Sequence, residues 1–153
     1  MDYKVNMNIR LMTPKDKEEV LKMMRVFYDS DAVQHAAPDA ILEKDIDDCV
    51  STLPFVEGYI LEENGKIAGY SMIAFSYSTE YGGICIWIED IYIKPEYQGR
   101  GFATKLFRFI EEKYNNIAVR YRLELEKNNV HAKKSYQKNG YAPLDYLEMT
   151  KEL

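Results

Sequence analysis

Two sets of residues in this chain have the types and spacing for chemistry. The first is Glu89-Asp90, a carboxylate pair that interrupts the apolar run from Ile84 to Ile93. A carboxylate set among isoleucines is partly desolvated, which raises its pKa and makes it a better proton acceptor. Neighbours in a strand point to opposite faces unless a bulge intervenes, so the sequence leaves open which of the two faces a cleft. The second set is Gln98-Gly99-Arg100-Gly101-Phe102-Ala103, which leads from that apolar run into an amphipathic helix. A Gly-containing turn opening a helix leaves backbone N–H groups pointing outward at the positive end of the helix dipole, an arrangement that suits a pyrophosphate. Gly99 and Gly101 serve where the backbone turns with positive φ or comes close to a ligand.

The elements that must position these groups are readable from periodicity. Ala103, Leu106, Phe107, Ile110 and Tyr114 fall on one stripe of a 3.6-residue helix, with Arg108, Glu111, Glu112 and Lys113 on the wet side. Ala118 to Glu126 alternates as a strand, with Val119, Tyr121, Leu123 and Leu125 expected on one face. A second helix follows it, with Asn128 or Asn129 as N-cap, Ala132 and Tyr136 on one face, and Gly140 at its left-handed end. There is no Gly-x-x-x-x-Gly-Lys-Ser/Thr and no Gly-x-Gly-x-x-Gly after a first strand, which argues against a P-loop nucleotide hydrolase and a dinucleotide fold.

A phosphate loop followed by Asn129-x-x-Ala132-x-x-x-Tyr136-x-x-x-Gly140-Tyr141 resembles the GNAT superfamily of acetyl-CoA-dependent N-acetyltransferases, over about residues 58 to 142. Within it, Trp87 to Ile93 with Pro95-Glu96-Tyr97 looks most like the diamine and thialysine acetyltransferase branch. Ala103 stands where Gly is commoner in that motif, and Gln98 where Arg is commoner. The resemblance implies acetyl-CoA as donor and a small-molecule amine as acceptor. It implies a donor site formed by Ile91, Tyr92, Ile93, Gln98, Gly99, Arg100, Gly101, Phe102, Ala103, Thr104 and Asn129. It favours Glu89 over Asp90 as general base and gives Tyr136 as the acid that protonates the departing thiolate. It also leaves room for a homodimer.

The chemistry asks for these groups. An alkyl amine with a pKa near about 10 must lose a proton before it attacks, and a thiolate with a pKa near about 8.5 leaves more easily when protonated. A backbone N–H on the central strand could stabilise the oxyanion of the tetrahedral intermediate. Cys49 and Cys85 sit near no His and at no helix start that would activate a thiol, so direct transfer in a ternary complex is expected rather than an acetyl-cysteine intermediate.

With 153 residues and 46% hydrophobic content, the chain is expected to form one domain, residues 1 to 153, around a sizeable core. No eighteen-residue apolar run or leader is present, so a cytoplasmic protein without a membrane partner is expected. Two cysteines make no disulfide framework, and two histidines without ligand spacing make a metal site an unsupported expectation. The formal charge of −5 argues against nucleic acid. Residues 1 to 97 carry a net −9 and residues 98 to 153 a net +4. Arg100, Lys105, Lys133 and Lys134 therefore lie in the half that meets an anionic donor. Asp29, Asp31, Asp39, Asp45, Asp47 and Asp48 lie in the half left for the acceptor, where they would attract a cationic amine. His35 falls in the same acceptor region.

Met7 to Leu11 reads as a short first strand, and Thr13-Pro14 opens a helix through Val20, Leu21, Met24 and Phe27. Tyr28 to Pro38 reads as a loop, and Leu42, Ile46, Cys49, Val50 and Leu53 as a second helix stripe. Gly58 to Glu63 and Lys66 to Tyr77 form a hairpin around Asn64-Gly65, and Tyr141 to Leu153 can supply a last strand. The expected fold class is α/β, a mixed, mostly antiparallel sheet with helices on both faces. An N-acetyltransferase acting on a small amine, polyamine or amino-acid-like acceptor is the leading expectation. A protein N-terminus or lysine as acceptor, and a silent acyl-CoA-binding module, are the alternatives; retention of both Glu89 and Tyr136 speaks against the last.

Overall fold

A computed structural model describes residues 6–153. Strands β1 (Met7–Leu11), β2 (Val56–Glu63), β3 (Lys66–Ser78), β4 (Gly83–Ile93) and β5 (Ala118–Leu123) form one sheet in the order β1-β2-β3-β4-β5. Neighbours are antiparallel except β4 and β5, which run parallel. Helices α1 (Lys17–Tyr28) and α2 (Asp39–Cys49) cover one face, burying Val20, Met23, Met24, Leu42 and Ile46 against Ile60, Tyr70 and Met72. On the other face, α3 (Phe102–Tyr114) buries Leu106, Phe107, Ile110 and Tyr114 against Tyr59, Ile73, Ile86 and Ile88. This is the expected stripe, with Ala103 partly buried at its start. α4 (Val130–Lys138) adds Tyr136 to that side. Asn64 and Gly65 close the β2-β3 hairpin with φ of 50° and 79°, the left-handed pair that a two-residue turn between twisted strands requires.

Several boundaries differ from the sequence expectation: α1 takes in Tyr28 from the expected loop, a 3-10 turn at Pro14–Asp16 precedes it, and β2 starts at Val56 rather than Gly58. α2 ends at Cys49, leaving Val50 as its cap and Leu53 39% exposed. The stop is local: Ser51 Oγ donates to the Asp48 carbonyl at 2.7 Å and accepts from the Leu53 N–H at 3.0 Å, a turn that diverts the chain. β5 stops at Leu123, and its inner face is Ala118, Tyr121 and Leu123, whereas Val119 is 44% exposed. A register shift explains this, because Ala118 pairs with Ile84 and Arg120, not Val119, with Cys85. Tyr141 to Leu153 forms no strand, and Leu147 and Met149 are 89% and 88% exposed.

The start of α1 is held by Asp16. Thr13 donates to Asp16 Oδ2 from its N–H at 2.8 Å and from its hydroxyl at 3.1 Å, and Arg10 adds two bonds of 2.8 Å, one to each carboxylate oxygen. The Arg10 hydrogen bond, above all, lowers the Asp16 pKa to about 2. A folded-state pKa below the ordinary value gives stability that is present above about pH 4 and lost as pH falls toward 2. Asp16→Asn should therefore cost roughly 2 kcal/mol at neutral pH and nothing extra near pH 2. Urea unfolding across pH 2 to 7 checks both halves of that expectation.

Candidate active site

In the β3-β4 ladder, Met72 faces Asp90 and Ile73 faces Ile88, so Glu89 is the extra residue of a β-bulge. The bulge answers the question that sequence left open. Ile88 and Ile91 pack into the α3-side core, and Tyr92 packs into the α1-α2 side. Glu89 and Asp90 together line one cavity of about 170 Å³. Tyr28 closes it from the end of α1, while Asp45, Asp48 and Cys49 close it from α2.

The two carboxylates have different surroundings. Asp90 is 3% exposed and already engaged: Tyr28 donates to Oδ1 at 3.0 Å, Tyr70 donates to Oδ2 at 2.9 Å, and its carbonyl accepts from Ser71 Oγ at 2.8 Å. Burial pushes its pKa up to about 6 against the opposing pull of the two phenols. Glu89 opens onto the cavity, and the protein mass around it still raises its pKa. Asp45 is raised as well, by burial and by Asp48. Of the acidic residues expected at the acceptor side, only Asp45 and Asp48 line this cavity. Asp39 and Asp47 lie in ion pairs of 2.7 Å with Arg25 and Lys17, and Asp29, Asp31 and His35 are exposed.

Pairing of β5 with β4 ends at Leu123 and Ile88. From Glu89 through Ile91, Tyr92 and Ile93, the β4 edge facing away from β3 has no strand partner among the described residues. This open edge starts at the cavity and ends at Ile93, from which Lys94 and a 3-10 turn at Pro95–Tyr97 lead into the Gln98–Ala103 loop. There Gly99 and Gly101 have φ of 74° and 89°, and Gly101 is the N-cap of α3, so the N–H groups of Phe102, Ala103 and Thr104 begin the helix. Nothing lies within 4 Å of a Cβ built on either glycine, so positive φ rather than crowding demands glycine in this state. Gln98 Nε2 donates to the Ile93 carbonyl at 3.0 Å and ties the loop back to β4.

Asn129 caps α4, its Oδ1 accepting from the Ala132 N–H at 3.2 Å. Tyr136 is not among the residues lining the cavity; its ring packs edge-on against Phe107 at 5.8 Å, and burial raises its phenol pKa. Gly140 at φ 91° ends α4, as expected, and the Tyr141 N–H returns to the Tyr136 carbonyl at 3.1 Å. Cys49 packs against the α1-α2 side of the core and also lines the cavity, but burial and Asp45 push its thiol up to about 12, so it carries no reactive thiolate near neutral pH.

The sequence model of the acetyltransferase (GNAT) family matches residues 19–141. The chain belongs to that family. Among curated relatives of this GNAT chain, a thialysine N-epsilon-acetyltransferase from Bos taurus is 46% identical over 46 residues, 30% of this chain and 26% of the relative. The match thus spans about a quarter of that relative's length. The enzyme of the same name from Caenorhabditis elegans is 26% identical over 151 residues, covering 95% of this chain and 86% of the relative. Two solved structures share the fold. A possible acetyltransferase from Clostridium difficile 630 aligns with a TM-score of 0.82 at 21% identity, over 96% of this chain and 97% of that one. An aminoglycoside N-acetyltransferase in complex with CoA aligns at 0.81 and 15%, over 99% and 98%.

Tyr28 and Tyr70, the two phenols on Asp90, escaped the sequence reading of this GNAT domain. Tyr28 falls four positions past Met24, on the same α1 stripe, which is the only trace it leaves in sequence. Tyr70 reads as one more strand aromatic, because its partner lies twenty residues away across the β3-β4 ladder.

Proposed function

We propose that this chain moves the acetyl group of acetyl-CoA to a primary amine of a small molecule, by direct attack within a ternary complex. The observation that carries the reading is the continuous β4 edge, with a carboxylate-lined cavity at one end and a phosphate-suited helix start at the other. The donor's pyrophosphate would lie on the N–H groups of Gln98 to Thr104, beside Arg100. Its pantetheine arm would pair with the open edge at Ile91, Tyr92 and Ile93 and reach Asn129. Such an arm has the amides to complete a strand edge.

Glu89 takes the proton of the ammonium, the freed amine attacks the thioester carbonyl, and a C–N bond forms as the C–S bond breaks. Tyr136 supplies the proton that the thiolate takes up, and the second proton, which the nitrogen loses as it becomes an amide, restores the phenol while Glu89 releases the first to solvent. A phenol raised by burial stays protonated at neutral pH and is available for that step. Asp45, Glu89 and Asp90 line the acceptor cavity together with Asp48, which is paired with Lys44 at 2.5 Å, and the resulting excess of carboxylates favours a cation. Thialysine, the acceptor in the relatives' name, is read here as one member of that class.

The test is a panel of amines, amino acids and peptides screened for CoA release. Cationic small amines should give the highest kcat/KM, and that value should fall with salt as screening grows. Neutral or anionic acceptors of equal rate, without salt dependence, would remove the cavity's charge from substrate choice. CoA release with peptides alone would replace the small-molecule reading.

A further inference from the structure

Glu63, the last residue of β2, is 8% exposed, and its surroundings are unusual for a carboxylate. Its Oε2 accepts from Arg100 Nη1 at 2.6 Å, and its Oε1 is buried with no hydrogen-bond partner among the described residues. A buried carboxylate demands compensation for lost hydration. Here the guanidinium of Arg100 supplies it, from the middle of the phosphate loop. Arg100 stands between Gly99 and Gly101, both at positive φ, and its guanidinium also lies 5.4 Å from the centroid of the Tyr97 ring.

Two glycines flanking one residue give a loop many conformations, and losing them on binding weakens affinity. An anchor at the residue between them removes that freedom before the ligand arrives. Nη1 is taken by Glu63, while the side chain remains 47% exposed and can still present charge to an anion.

We propose that Glu63 is a positioning residue that pre-orders the phosphate loop through Arg100, and so sets the affinity for acetyl-CoA. This rests on the reading of Gln98 to Ala103 as the donor's phosphate site. It assigns a role at that site to a strand residue thirty-seven positions upstream of the motif.

A double-mutant cycle in steady-state kinetics tests it, with acetyl-CoA binding measured by calorimetry. Glu63→Gln should raise KM for acetyl-CoA roughly ten- to a hundredfold, the scale of one charge-assisted hydrogen bond, with the loss falling on that KM rather than on kcat or on KM for the amine. In an Arg100→Ala background the same change should have almost no further effect, because the route through Arg100 is already cut. Glu63→Asp, which keeps the charge but draws it back by one methylene, carries the same test if the amide variant does not fold. Additive effects of the two substitutions, an unchanged KM, or equal losses in melting temperature and in both KM values would overturn the assignment. Failure of the unaltered protein to bind acetyl-CoA is a separate result that removes the phosphate site itself.

Discussion

Glu89→Gln is expected to lower kcat about a hundredfold or more at neutral pH while leaving acetyl-CoA binding intact, the usual scale for a positioned general base. The reason lies in the contrast across the bulge. Asp90 has both oxygens occupied by phenols and is sealed from solvent, so a proton leaving an acceptor in the cavity meets Glu89 first. Burial raises the Glu89 pKa, which brings it nearer the pKa of the ammonium it would deprotonate as the proposed base. The sign of the pH dependence follows. Activity should fall as pH drops through the raised Glu89 pKa, since a protonated carboxyl cannot accept. The amide variant should lose that limb and recover partly as pH rises and free amine accumulates. Rate against pH for both proteins measures this. An unchanged rate for Glu89→Gln beside a large loss for Asp90→Asn would transfer the role to Asp90.

What the sequence disclosed and what it concealed divide along a physical line. Features set by short-range geometry were legible: the α3 stripe from Leu106 to Tyr114, the Asn64-Gly65 turn, the Asn129 cap and the left-handed Gly140 each depend on a few consecutive residues. Features set by a partner strand were not. The bulge at Glu89 exists only relative to Met72 and Ile73, and the displacement of Val119 only relative to Ile84 and Cys85. For the same reason nothing in the sequence singles out Glu63, whose partner Arg100 lies thirty-seven positions further on. α2 ran short because Ser51 supplies a competing hydrogen-bonded turn, which hydrophobic periodicity does not register. The charge count pointed to the acidic segment from Asp29 to Asp48, of which Asp45 and Asp48 line the cavity; ion pairs occupy Asp39 with Arg25, Asp47 with Lys17 and also Asp48 with Lys44.

Gly101→Asp is expected to abolish the rise in melting temperature that acetyl-CoA gives the unaltered protein, and with it measurable turnover. A ligand that binds only the folded state raises the melting temperature by mass action, so the shift reports binding directly. Two effects act at this position, and a paired substitution separates them. Gly101 has φ of 89°, so any side chain strains the backbone; Asn and Asp bear left-handed conformations better than other residues and do so similarly. They differ in charge. A carboxylate at the N-cap of α3 would take the helix-start N–H groups for itself and repel a pyrophosphate, whereas the neutral amide does neither as strongly. Gly101→Asn should therefore keep a reduced shift where Gly101→Asp keeps none, with the two free proteins melting at similar temperatures. Equal loss in both would make strain the whole cause. An undiminished shift in Gly101→Asp would place the donor's phosphates away from the α3 start.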